Sequence, residues 1–255
     1  MNQVVKKEKS DIALSSMFEK DSHASFDNMG SGDFALPFLR VLMQLSPEVD
    51  EMNAKHIKGA KAGMILNTGT KQLISGAEGV NVIPCYYKRE YVEWSDRGQG
   101  TSAPLAIHPV GSDIVATTKK DAMFKERLPN GNYLEETASY FVMQEQGGAA
   151  LVTMKSTGLP VARGWNTMMN SIKLPGSKGM FTPAMYSHVY NSKTVQQSND
   201  KGTWYNWSVE KIGPVQDKDL YEQAKSFAVS ANKGDVTAKH GEEGNKLKSS
   251  DEVPF

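Results

Sequence analysis

The side chains with most to offer a ligand cluster between Val80 and Arg97, in the run Val-Asn-Val-Ile-Pro-Cys-Tyr-Tyr-Lys-Arg-Glu-Tyr-Val-Glu-Trp-Ser-Asp-Arg. It begins as an apolar strand and ends as four aromatic rings (Tyr86, Tyr87, Tyr91, Trp94) interleaved with three cations (Lys88, Arg89, Arg97). With a period of two, Ile83, Cys85 and Tyr87 share one face, and Val82, Tyr86 and Lys88 the other. Rings stack on flat bases and cations neutralise phosphates, so a sheet face carrying both suits single-stranded nucleic acid. The same residues also serve as plain strand formers and solvated edge charges. A second candidate is Ala184–Lys193, where Met185 and Val189 take one face and Tyr186, His188 and Tyr190 the other. Three rings in a row opposite an apolar face read as a stacking ladder, with cross-strand packing in an ordinary sheet as the alternative. In Thr203–Ile212, Trp204 and Trp207 must face opposite sides, one toward the core and one toward the surface.

Enzymatic chemistry finds weaker footholds. Glu135-Glu136 and Asp217/Asp219 are carboxylates of the kind that hold Mg²⁺ in a nuclease, but each pair lies beside a turn or a helix start, where solvated acids are expected. Cys85 as a nucleophile needs a poised histidine, and none of the five can be placed beside it from the sequence. Gly-rich Ile57–Thr70 lacks the Lys-Ser/Thr that a phosphate loop requires directly after its last glycine. Gly63 is followed instead by strand-like Met64-Ile65-Leu66, so a bulged or bent strand is expected.

Composition sets the frame. The chain has 255 residues, 39% hydrophobic and 23% charged, which fits one large or two small globular domains. No apolar run is long enough to span a bilayer, and the opening Met-Asn-Gln-Val-Val-Lys-Lys-Glu-Lys is too polar for a signal peptide. One cysteine excludes an intrachain disulfide and a multi-thiolate zinc site, and fits a reducing compartment such as the cytoplasm. The formal net charge is zero but uneven: residues 1–33 carry 4 basic and 6 acidic side chains, residues 34–233 carry 22 and 18, and residues 234–255 carry 3 and 5. The middle is thus modestly cationic between two acidic flanks, a small push toward nucleic acid.

The elements that must position these residues follow in order. Residues 1–33 are expected to form a flexible arm, with a transient helix over Asp11–Lys20. Apolar Phe34–Leu42 starts the ordered domain, with Pro37 marking an edge or a strand start. Beyond Arg97 the chain is loop-like, with a hairpin turn at Asn130-Gly131, and strands at Ser139–Gln144 and Ala150–Met154 flank Gly147-Gly148. Trp165, Met168, Met169 and Ile172 fall at helical spacing, predicting an amphipathic helix over Arg163–Lys173 stopped by Pro175-Gly176. A loop over Gln196–Gly202 separates the last two strands. A closing helix over Asp217–Asn232 is expected to start at Asp217 or Asp219 and end at Gly234. Residues 234–255 read as a disordered acidic tail.

Strands, one helix between the third and fourth, and a terminal strand pair resemble an elaborated OB-fold, the five-stranded Greek-key barrel that binds oligonucleotides. The assignment is 34–66, 80–94, 139–154, 184–193 and 203–212, a mainly β domain with a few helices over 34–233. The terminus, Asp251-Glu252-Val253-Pro254-Phe255, resembles the acidic tip of bacterial and phage single-stranded DNA-binding proteins. An acidic pair, an aliphatic residue, Pro and Phe would close a chain by chance on the order of once in 10⁵ sequences. Leu36–Leu42 and Gly79–Trp94 are also similar to single-stranded DNA-binding proteins of tailed phages. The chain departs from one phage type by lacking a zinc ligand set, and from bacterial members by its length.

What this resemblance implies is a non-enzymatic, sequence-independent binder of single-stranded DNA in phage replication or recombination, in the host cytoplasm, with no cofactor, no metal and no membrane. A single-strand annealing protein is the near alternative and a metal-dependent nuclease the remote one. Tyr86, Tyr91, Trp94, Trp165, Tyr186, His188, Tyr190 and Trp204 are the candidate ring surface, and Lys88, Arg89, Arg97, Arg163 and Lys193 the phosphate partners. Residues 251–255 would recruit replication or recombination proteins, and a homo-oligomer is compatible with all of this.

Overall fold

The computed structural model describes residues 14–21, 24, 35–96, 103–200, 202–238 and 240. The chain divides into two compact units, Met1–Phe34 and Ala35–Phe255. Within the first, residues 14–20 are helical, inside the span where a helix was expected. Arg97, residue 239 and residues 241–255, including the tip Asp251–Phe255, lie outside the described residues.

The second unit is mainly β, a curled half-barrel sheet. Its principal strands are β1 (Phe38–Val41), β2 (Ile65–Asn67), β3 (Leu73–Ile74), β4 (Val80–Trp94), the short β5 to β7 (Ala106–Pro109, Lys119–Lys120, Glu126–Arg127), β8 (Tyr133–Gln144) and β9 (Ala149–Lys155). After helix α1 (Leu159–Asn170) come a small hairpin, β10 (Leu174–Gly176) with β11 (Gly179–Phe181), then β12 (His188–Asn199), β13 (Gly202–Pro214) and helix α2 (Lys218–Lys233). The main sheet runs β13-β12-β4-β8-β9-β1-β2-β3, with β1 parallel to β9 and the other pairings antiparallel. The expected five-strand Greek-key order is not the order of this sheet. The assigned first strand divides into β1 and β2, which pair with β9 and each other rather than with β4. The expected loop 196–202 is largely strand, because β12 and β13 pair in unbroken register from Tyr190↔Lys211 to Asn199↔Gly202.

The curl brings the far end of the sheet back against β12. The Thr194 backbone N–H donates to the Gly76 carbonyl at 2.9 Å, and the Thr194 hydroxyl donates to the Gly63 carbonyl. Glycine is obligatory in this seam. A Cβ on Gly76 would lie 1.9 Å from the Gly63 carbonyl oxygen, and one on Gly63 (φ +88°) would lie 2.5 Å from the Tyr205 ring. The glycine-rich stretch therefore serves close backbone approach rather than phosphate.

Inside the curl sits α1, started by Pro160 in its first turn, where a missing N–H costs nothing. It buries Ala162, Trp165 and Met169 against Val82, Tyr140, Val152, Tyr190 and Trp207. It begins four residues before the predicted start and ends at Asn170, so Ile172 lies beyond it. Outside the curl, α2 packs Ala224 and Ala231 over Ile83, Cys85 and Phe141. Its ends match the sequence reading: the Asp217 carboxylate accepts from the N–H groups of Asp219 and Leu220, and Gly234 closes it at φ +84°. Among the described residues, no helix is long and apolar enough to cross a membrane.

Candidate nucleic-acid interface

What sorts the rings of β4 is a bulge. The pairing with β8 shifts between Pro84 and Tyr86, where Pro84 faces Val142 and Tyr86 faces Phe141. One extra residue flips every side chain after it to the other face. Tyr87, expected beside Ile83 and Cys85, turns into the curl and packs on Tyr140 at 5.0 Å. Tyr86, expected beside Val82, turns outward onto Phe141 at 5.6 Å, in the cluster that also holds Phe227 of α2. The missed signal was in the sequence: a proline inside a strand flanked on both sides marks a bulge.

Beyond the bulge β4 presents two faces. The Tyr87 face continues through Arg89 and Tyr91, with Arg89 Nε 2.7 Å from Glu136. Burial pulls the Arg89 pKa down, but the Glu136 carboxylate and Tyr91 outweigh it and hold it above the usual arginine value. The opposite face carries Lys88, Glu90 and Trp94. Lys88 pairs with Glu90 at 2.5 Å, and Glu90 also lies 3.6 Å from buried His240. Burial raises the Glu90 pKa, but the nearby His240 ring and Lys88 ammonium leave it below the ordinary carboxylate range. Trp94 is half-buried, its indole N–H buried without a partner and its ring 5.3 Å from Lys155 Nζ.

The expected ladder over Tyr186, His188 and Tyr190 does not form. Residues Met185–Ser187 make a 3-10 turn and the strand starts only at His188, so a period of two cannot run through Tyr186. Tyr186 packs edge-on against Tyr221 of α2 at 5.3 Å. His188 is buried, its Nδ1 2.8 Å from the Ser187 hydroxyl, and burial with Lys211 nearby depresses its pKa. Tyr190 is wholly buried and meets Trp165 at 5.7 Å, while Trp165 stacks on Tyr140 at 4.2 Å. Tyr190 and Trp165 are therefore core rings. Burial pushes the Tyr190 phenol up to about 12. The Cys85 thiol is likewise buried and pushed up to about 12, which removes it as a nucleophile near neutral pH.

Trp204 and Trp207 divide as expected: Trp207 is core, whereas Trp204 is half-buried with its indole N–H donating to Gln197 at 3.1 Å. Both line a groove of about 180 Å³ between β1, the end of β9 and β13, together with Tyr205, Arg40 and Lys155. Lys155 lines this groove and its ammonium also faces the Trp94 ring, so one cation neighbours both. Neither Lys155 nor Arg40 stood out in the sequence, because the β1–β9 parallel pairing that brings their strands together is non-local. Arg163 is exposed on α1, and Lys193 pairs with Glu210 at 2.9 Å.

Most of these cations already face carboxylates: Arg40 with Glu48, Lys155 with Glu135, and Arg89 with Glu136. The half-exposed Arg89–Glu136 pair is worth about 0–1 kcal/mol, so a phosphate can displace that carboxylate at small cost, whereas Glu48 is buried and stays with Arg40. Among the described residues, no group of three or more His, Cys, Asp or Glu side chains is placed to hold a metal ion. Glu135 and Glu136 engage Lys155 and Arg89, and Asp217 caps α2.

Neither the curated proteins nor the solved structures contain a match to this chain. A family model does match, over residues 6–237 and so across the whole of the curled sheet and both of its helices, and the chain belongs to the Pam3 phage gp34-like protein family.

Proposed function

We propose that this phage-family protein binds single-stranded DNA without sequence preference, serves replication or recombination, and recruits partners through its C-terminal tip. The observation that carries the reading is the surface on which Lys155 joins the Trp94 ring to the groove of Trp204, Tyr205 and Arg40. Half-exposed rings accept any base, at about 1–3 kcal/mol per stacked base, and the cations add a sequence-independent, salt-sensitive term. The acidic tip supports the same reading. Phe255 offers a ring close to the Asp251 and Glu252 carboxylates, which a partner can take up with an apolar pocket beside a cation.

Fluorescence anisotropy with single and double strands at matched salt tests the proposal. Tighter binding of the single strand, weakening steeply as salt rises, supports it; equal affinity for both overturns it. Removing residues 249–255 should leave DNA binding unchanged or tighter while abolishing capture of replication proteins, and weaker DNA binding would refute the role given to the tip. Strand annealing is the second reading, because it uses the same surface. An annealing assay on the same preparation decides it, and a nuclease assay with Mg²⁺ addresses the remote third.

A further inference from the structure

A pocket open to solvent lies apart from the ring-and-cation groove. It has a volume of about 260 Å³ and is bounded by Tyr87 of β4, the end of α1 and the segment leading into β12. That is room for several waters at about 30 Å³ each, and slightly below the roughly 300 Å³ at which pockets for drug-sized ligands begin. Its walls are apolar where Tyr87, Met169 and Met185 line it, and polar where Asn166, Asn170 and Ser187 do. None of the residues lining it is charged, so it has nothing to hold a phosphate, a carboxylate or an amine. Tyr190 also lines it, and its hydroxyl is buried with no hydrogen-bond partner. An orphaned buried hydroxyl costs about 1–3 kcal/mol, so the site is short of one polar partner. The Asn166 amide is anchored, with its Oδ1 2.9 Å from the Tyr140 hydroxyl, so its remaining hydrogen-bonding group is held in a fixed place.

A ligand that fits must be small, neutral and partly flat, with both donors and acceptors on its edge. We propose that this pocket takes one everted nucleobase of the bound strand, an inference that rests on the single-strand reading above. The base lies against the Tyr87 ring, its edge meets the Asn166 and Asn170 amides, and the Tyr190 hydroxyl gains its missing partner. Arg89 and Tyr91 follow Tyr87 on the same face of β4, so the backbone beside the everted base passes an exposed cation. Extruding a base is inexpensive in a strand that has no pairing partner to give up.

Methionine-methyl NMR on the full-length protein tests this directly. Met169 and Met185 line the pocket, while Met143 belongs to the cluster beneath α2 and serves as the internal control. Adding thymidine or deoxyadenosine should shift the Met169 and Met185 signals and leave Met143 in place, and a thymidine oligomer of about 16 nucleotides should shift the same two at far lower concentration. Met185→Trp, which fills the cavity from a half-buried position, should abolish the nucleoside shifts with the melting temperature unchanged. Should that variant fail to fold, Tyr190→Phe is the milder probe: it removes only the unpartnered hydroxyl and should weaken nucleoside binding roughly fivefold. If the oligomer binds by anisotropy but neither nucleoside nor oligomer moves Met169 and Met185, the base pocket is overturned and the binding function stands. Shifts with phenol but not with nucleosides overturn it as well, in favour of an aromatic side chain of a protein partner. A protein that binds no strand at all overturns both.

Discussion

Two groups of rings in this protein have opposite surroundings. Tyr140, Trp165 and Tyr190 meet one another inside the curl at 4.2 and 5.7 Å and are wholly buried. Trp94 and Trp204 stay half-buried, one beside the Lys155 ammonium and the other bonded to the Gln197 amide. The first group spends its apolar area on holding α1 inside the sheet, and the second leaves ring surface to a ligand. An aromatic-rich strand therefore says that something will be covered, and the curvature of the sheet decides whether protein or ligand covers it.

The largest effect should appear when a ring of the inner group is removed. Trp165→Ala should cost about 3–5 kcal/mol in urea unfolding, whereas Trp204→Ala should cost a small fraction of that. Similar losses for the two would erase the distinction between the groups. Next in size is DNA affinity, where the order reverses. Trp204→Ala or Trp94→Ala should each lose about 1–3 kcal/mol of single-strand binding, while Tyr86→Phe, which sits against Phe141, should lose none. An affinity unmoved by both tryptophan changes would locate the strand elsewhere on the protein.

A smaller effect concerns the carboxylates that hold the cations. Glu136→Gln frees Arg89 and should tighten single-strand binding by about 1 kcal/mol or less, most visibly at low salt. Weaker binding would mean that Glu136 positions Arg89 rather than competing with phosphate.

The smallest effect is a pH dependence. The His188 pKa lies below the free-histidine value in the folded protein, so the unfolded chain takes up its proton first as pH falls. Stability from this residue is present above about pH 6.5 and is lost on acidification below it. Glu90 and Glu93, both depressed, add a second loss as pH falls through the carboxylate range. His188→Gln should flatten the first step of a melting-temperature series and leave the second. A series in which the first step persists would assign it to another histidine.

Much of the architecture was legible because it rests on local chemistry. The caps of α2 at Asp217 and Gly234, the Gly147-Gly148 turn with both φ angles positive, and the helical spacing of Trp165 and Met169 are short-range features, and each appears where the pattern places it. The ladder at Tyr186, His188 and Tyr190 was misread because alternation presupposes a strand, and the first of these residues lies in a 3-10 turn. The faces of Tyr86 and Tyr87 were exchanged by a single bulge beside Pro84.

By itself the sequence determined a mainly β unit, its two helices and the caps of α2, and one tryptophan inside and one at the rim of β13. These depend on residues a few positions apart, whose periodicity and capping act before any distant contact forms. Only the tertiary structure decided which rings became core, that Lys155 joins Trp94 to the Trp204 groove, and that Gly63 and Gly76 close a seam against Thr194. Those outcomes depend on strand order and on the parallel contact between β1 and β9, more than 100 positions apart, which no local pattern encodes.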